Sequence, residues 1–173
     1  MFNISSDREC LYCSACWNIC PVGAIDRVRD DEKFWRVKVD SAKCIQCGAC
    51  EKVCPLNNIN LKTPKEFYAG YHKNKNTIIR AASGGGATAF SERIIKSGGY
   101  VCGVKWNDDF RGAKHVIVHN ENELDALSGV KYVQSEKGEV FKEIEKLLAD
   151  KRVFFLVCHV KWRDSVYIWG KIM

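Results

Sequence analysis

Apolar and polar positions follow two different periods along this chain of 173 residues. Phe34-Trp35-Arg36-Val37-Lys38-Val39 alternates apolar with basic residues, as a strand with one covered face does, and Arg29-Asp30-Asp31-Glu32 supplies the turn before it. From residue 63 on, strand-like and helix-like segments take turns. Residues 67–71 read as a first strand, and residues 78–82 lead into Ser83-Gly84-Gly85-Gly86. Ala87, Phe90, Ile94 and Ile95 then recur at helical spacing, with Gly98 as the cap. Residues 100–106 and 115–119 are strands by alternation and β-branching, and Asn120-Glu121-Asn122-Glu123 has the spacing of a capping box at a helix start. Ser135 is expected to cap a longer helix running to Asp150, with Val140, Phe141, Ile144, Leu147 and Leu148 on one face. Residues 153–157 form a buried strand. Such alternation predicts an α/β domain over residues 63–155, with helices covering a mixed or parallel sheet.

Residues 1–62 lack the apolar content for a core of that kind. Their distinctive residue is cysteine: of ten in the chain, all but Cys102 and Cys158 lie between Cys10 and Cys54. Dense cysteine means disulfides in an oxidising compartment and metal sites in a reducing one. The first nine residues contain no apolar run of the signal-peptide kind, and the apolar stretch at 153–160 is too short to span a bilayer. A cytoplasmic protein without a membrane span is expected. The formal charge of +6 comes from basic residues interleaved with acidic ones, and thiolate-bound clusters would offset it. Nucleic-acid binding is therefore not expected.

The cysteines fall into two runs, Cys10-x2-Cys13-x2-Cys16-x3-Cys20-Pro21 and Cys44-x2-Cys47-x2-Cys50-x3-Cys54-Pro55, which make an internal repeat. This is the bacterial ferredoxin spacing, in which the fourth cysteine of each run ligates the cluster of the other. One [4Fe–4S] cube is then assigned to Cys10, Cys13, Cys16 and Cys54, and the second to Cys44, Cys47, Cys50 and Cys20. Two-residue gaps wrap a tight loop around a cube so that three thiolates reach three irons. The fourth cysteine is expected to open a short helical turn toward the partner cube, with the proline fixing the chain direction. Val22-Gly23-Ala24-Ile25 supplies small apolar groups beside a cluster. Zinc sites would also take thiolates, but they pair two cysteines with a distant second pair and do not place a third two residues on. The fold class expected is an α+β ferredoxin-like dicluster module over residues 1–62, followed by the α/β domain. So small a shell should need its clusters to fold.

A glycine-rich loop opening a helix can hold phosphate, yet Ser83 to Gly86 is weak evidence alone. Together with the twin cysteine runs, Arg80-Ala81-Ala82-Ser83-Gly84-Gly85 and Gly129-Val130-Lys131-Tyr132-Val133-Gln134-Ser135 resemble the coenzyme F-420 hydrogenase/dehydrogenase beta-subunit family. The resemblance runs from about Cys10 to Phe155. It implies an iron–sulfur flavoprotein oxidoreductase, in which electrons pass between the clusters and FAD, and FAD reacts with a deazaflavin or similar acceptor. It would place Ser83, Gly84 and Gly85 against the flavin nucleotide, with Lys131, Tyr132, Gln134 and Ser135 near it, and would imply a redox partner protein or subunit. The rival reading is a simple ferredoxin-like carrier or docking module without flavin or catalytic activity.

Three departures from the family pattern stand out. Tyr12 and Gln46 occupy positions where glycine is common, and neither is a ligand. After the strand at 153–155 the family carries a Gly-Thr-Pro-Cys-Gln-like turn and a further large domain, whereas here Leu156-Val157-Cys158-His159-Val160-Lys161-Trp162 follows. Allowed codons for these residues, CTG GTA TGC CAT GTC AAG TGG CGG GAT TCC, give Ser-Gly-Met-Pro-Cys-Gln-Val-Ala-Gly when read from the last nucleotide of a Phe155 codon TTT. Residues 156–173 are accordingly expected to be an out-of-frame tail. Cys102 is expected to be a small buried hydrophobe, and His72, His115, His119 and His159 show no metal-ligand spacing.

Overall fold

The computed structural model describes residues 10–58, 66, 68–149 and 152–155. They divide into two compact units, one holding the described residues up to Asn58 and the other those from Glu66 to Phe155.

The first unit is a repeat built on a hairpin. Helices α1 (Ala15–Ile19) and α2 (Ala49–Val53) occupy equivalent places in the two cysteine runs and pack on one another. Between them, β1 (Ile25–Arg29) pairs antiparallel with β2 (Trp35–Val39), from Ile25 opposite Val39 to Arg29 opposite Trp35. The turn falls where the acidic run placed it. Asp30 Oδ1 accepts a hydrogen bond from Phe34 N (2.8 Å), and Lys33 takes a positive φ of 68°. The alternation at 34–39 shows β2 almost in full, but β1 carries Asp26, Arg27 and Arg29 and buries only Ile25, so its sequence gave little sign of a strand. A 3-10 helix at Pro55–Asn58 follows the second run.

The second unit opens with the short helix α3 (Lys75–Arg80) and builds a mixed four-stranded sheet with helices on both faces. β3 (Tyr100–Trp106) pairs antiparallel with β4 (Ala113–Val118) and parallel with β6 (Val153–Phe155), and β4 pairs parallel with the short β5 (Ser135–Glu136), giving the order β5-β4-β3-β6. Strand alternation sorts the side chains into two layers. Val101 and Val118, opposite one another, meet Leu124 in the core. Ile94 and Ile95 of α4 (Gly86–Lys96), with Val116, Leu127 and Phe154, pack around them. Each such side chain, fully buried, contributes about 1.5–3 kcal/mol. Gly103 leaves room for Leu127 there, since a Cβ would lie 2.9 Å from Leu127 Cδ1 and push that side chain aside. The other face carries Cys102 and Phe155, also opposite one another, beneath α5 (Val140–Leu148). Phe155 stacks between His115 (5.5 Å) and Phe141 (5.9 Å).

The helix at 86–96 and the strand at 100–106 stand where the periodicity placed them, and Gly98 ends the helix at a φ of 75°. Four expectations need correction. Described residues 68–71 join no strand; His72 N instead donates to Gly84 O (2.7 Å), so this segment runs beside a loop rather than a ladder. β4 begins at Ala113, because small Ala113 is covered and the pairing with Trp106 extends back to it. The capping side chain of Asn120 does accept from Glu123 N (3.1 Å), yet the turn it starts, Glu121–Leu127, is 3-10. Ser135 lies in β5, and α5 starts only at Val140, after Gly138 has turned the chain at a φ of 51°. Residues 156–173, with Cys158 and His159, lie outside the described residues.

Candidate metal centres

Both cysteine loops are shaped by pairs of left-handed residues. Tyr12 (φ 51°) and Ser14 (φ 63°) flank Cys13, and Gln46 (φ 54°) and Gly48 (φ 72°) flank Cys47 at the equivalent positions. Such a conformation favours glycine, and Tyr12 and Gln46 adopt it with a side chain in place. The third cysteine of each run, Cys16 or Cys50, enters the short helix, and the fourth ends it. Cys20 (φ −67°, ψ 114°) and Cys54 (φ −66°, ψ 120°) are extended C-caps. Proline disfavours the helical region for the residue before it, so Pro21 and Pro55 turn each fourth cysteine out of its helix. The expectation that this cysteine opens a helical turn is corrected for Cys20. For Cys54 the 3-10 turn does follow directly.

The turned-out cysteine meets the opposite run. Cys20, Cys44, Cys47 and Cys50 line one shared hollow, with Ala24, Ile25 and Val39 among its apolar walls. Ala24 N donates to Cys20 Sγ at 3.2 Å. The other four thiols gather as well. Burial pushes the Cys16 thiol far up, and Cys13, Cys10 and Cys54 lie near enough to push it the same way. A buried group of thiols that repel one another as thiolates needs a cationic core to ionise, which is what an iron cube offers. Among the described residues no three or more His, Cys, Asp or Glu side chains converge on a point fit for a single ion. A cube gives each thiolate its own iron and asks its ligands to surround a volume. The donor set, the crossed grouping and the apolar wall all fit such a group.

The first loop is further fixed by aromatic and ionic contacts. Tyr12, 1 % exposed, stacks on Trp35 at 5.9 Å. Arg36 reaches from β2 to donate to Cys10 O (2.6 Å) and pairs with Asp30 (3.0 Å). On the same hairpin, Arg29 lies over the Trp35 ring at 4.1 Å.

Residues 9–58 match the family described as the 4Fe-4S dicluster domain. This segment is a dicluster domain. All eight cysteines of the two runs lie inside the match, and the domain implies two [4Fe–4S] clusters and iron–sulfur electron transfer. No curated protein matches the chain. No helix among the described residues is long and apolar enough to cross a membrane.

The residues singled out beyond the dicluster domain lie in several parts of the second unit. Ser83 is exposed. A Cβ on Gly84 would lie 3.0 Å from Gly70 O, and Gly85, at a φ of 75°, would bring one within 3.0 Å of His72 Cβ. The close passage of the 70–72 segment thus disfavours a side chain at both positions, and the positive φ of Gly85 disfavours it further. Lys131 is buried, and its Nζ donates to Ser128 O (2.7 Å), Gly129 O (3.2 Å) and Ala126 O (3.4 Å), fastening the end of the 3-10 turn. Tyr132 is exposed and Gln134 half-buried, while Ser135 Oγ lies 3.2 Å from His115 Nδ1. The His115–Ser135 contact had no signal in the sequence, because parallel pairing of β4 with β5 creates it. Cys102 is fully buried, and burial pushes its thiol up to about 12, so it stays protonated as a small apolar group should.

Proposed function

We propose that this chain carries electrons through two [4Fe–4S] cubes, one on Cys10, Cys13, Cys16 and Cys54 and the other on Cys20, Cys44, Cys47 and Cys50. The observation that carries the assignment is the shared hollow, which puts Cys20 among the thiols of the opposite run. Bound cubes supply reversible one-electron chemistry. The chain's own residues hold the thiolates apart at fixed places, exclude water with Ala24, Ile25 and Val39, and direct the Ala24 N–H at Cys20 sulfur. A hydrogen bond to a ligand sulfur stabilises the more negative state and so raises the potential. In anaerobically reconstituted protein, iron and sulfide should each reach about eight per chain. Cys20→Ala should damage the cube of the second loop and leave the first. Loss of the first cube alone defeats the crossed assignment.

The finer reading is that the electrons continue to FAD and on to a deazaflavin or similar acceptor, with a partner subunit, as in the coenzyme F-420 hydrogenase/dehydrogenase beta subunits. Support comes from the order of the segments at 80–85 and 129–135 and from the placement of Gly85 at the head of α4. Against it, Gly84, Gly85 and Lys131 already have structural work without a nucleotide. Flavin content of the purified protein decides between this reading and the plain carrier. Bound FAD in proportion to chain is expected for the flavoprotein, and none after incubation with FAD leaves the carrier.

A further inference from the structure

The two thiol sets have the same sequence spacing and unequal surroundings: Cys10 and Cys13 of the first are half-buried with Cys16 and Cys54 buried, whereas Cys20, Cys44 and Cys50 of the second are half-buried with Cys47 exposed. In the first, Tyr12, Ser14, Ala15, Cys16 and Cys54 are all buried, and the Trp35 ring lies on Tyr12. In the second, Cys47 is exposed, with Gln46 exposed and Ile45 61 % exposed beside it. Cys13 and Cys47 are equivalent in the repeat, yet Cys47 alone of the eight thiols is classed as exposed. The hollow that contains Cys47 has a buried floor, Ala24 and Ile25, and an open rim that includes Ile45 and the exposed Val22.

Resting on the crossed ligand assignment above, we infer that the second set is the port of the dicluster domain: its cube is the one that exchanges electrons with the outside, across the Val22, Ile45 and Cys47 rim, and the first cube lies farther from solvent. Electron exchange between proteins weakens steeply with separation, so the thiolate that reaches the surface sets the shortest route. No charged side chain is among the residues lining the hollow. Where the first loop has the buried Tyr12 ring, the second has Gln46, whose side chain is exposed at the hollow's edge.

Relaxation of the cluster signals by a water-soluble dysprosium chelate tests this in the reduced full chain. Cys47→Ser and Cys13→Ser, each leaving an oxygen at the ligand position, identify which electron paramagnetic signal belongs to which cube, by shifting it or by removing it. The chelate should raise the power needed to saturate the signal assigned through Cys47 several-fold and leave the other within error. Equal enhancement of both signals, or a larger effect on the signal assigned through Cys13, overturns the inference. Iron and sulfide well short of two cubes in the unaltered chain would instead defeat the ligand assignment on which it rests, so the two failures are distinguishable.

Discussion

The two units of this chain are held together by different means. In the unit from Glu66 to Phe155, apolar side chains from a helix, a 3-10 turn and a sheet meet around Val101 and Val118, and the fold rests on their removal from water. In the dicluster domain the buried residues are mostly cysteines and the small groups beside them, and only Tyr12 and Ile25 are large. A core of that size does not hold a domain unaided. The difference teaches that the dicluster domain borrows its core from its cofactors: thiols that would repel if ionised become internal links when each binds iron as a thiolate.

The comparison breaks most readily at the metal. Chelation of iron under anaerobic conditions should unfold the dicluster domain while the sheet of the other unit persists. Hydrogen exchange read segment by segment should show residues 10–58 losing protection and residues 100–118 keeping it. Retained protection in iron-free residues 25–39 would mean that the hairpin is stable alone and that the contrast is wrong.

Side-chain truncation should act on one unit at a time. Tyr12→Ala removes the stacked lid of the first loop and should cost about 3 kcal/mol, as large aromatic-to-alanine changes do. The guanidinium midpoint for loss of cluster absorbance would report it. Val101→Ala should cost roughly 2 kcal/mol in the other unit by leaving a cavity between α4 and the sheet. Iron content should stay unchanged. A fall in bound iron on Val101→Ala would show that the units are energetically coupled.

The smallest effect sharpens the contrast between the two loops. Gln46 is exposed and held at a positive φ, so Gln46→Gly should stabilise the iron-loaded domain by ~1 kcal/mol, the strain of a left-handed residue. Tyr12→Gly relieves the same strain but deletes a buried ring, and should destabilise. The two changes therefore have opposite signs at equivalent positions of one repeat. If both stabilise, as a slower loss of cluster absorbance in denaturant, the Tyr12–Trp35 stack holds nothing in place.

The sequence alone determined the chemistry of the dicluster domain, because cysteine spacing is a local property. Gaps of two and three residues and a following proline fix a loop, a helical turn and an extended fourth cysteine within a few bonds of one another. It also determined α4, β3 and most of β2, whose periodic apolar positions were long enough to be read. What depends on the meeting of distant segments was decided only by tertiary structure. β1 is a strand because Ile25 meets Val39, and Ser135 left its expected helix cap because Ala113 offered a partner for a bridge. The glycines at 84 and 85 owe their identity to residues 70–72 passing close by. The inequality of the two thiol sets is of the same kind: their spacing is identical, and only the placement of Trp35 over one loop, with open solvent at Ile45 and Cys47 beside the other, separates them. Burial is a property of what lies across space, and a repeat that is symmetric along the chain need not be symmetric in the surface it shows to water.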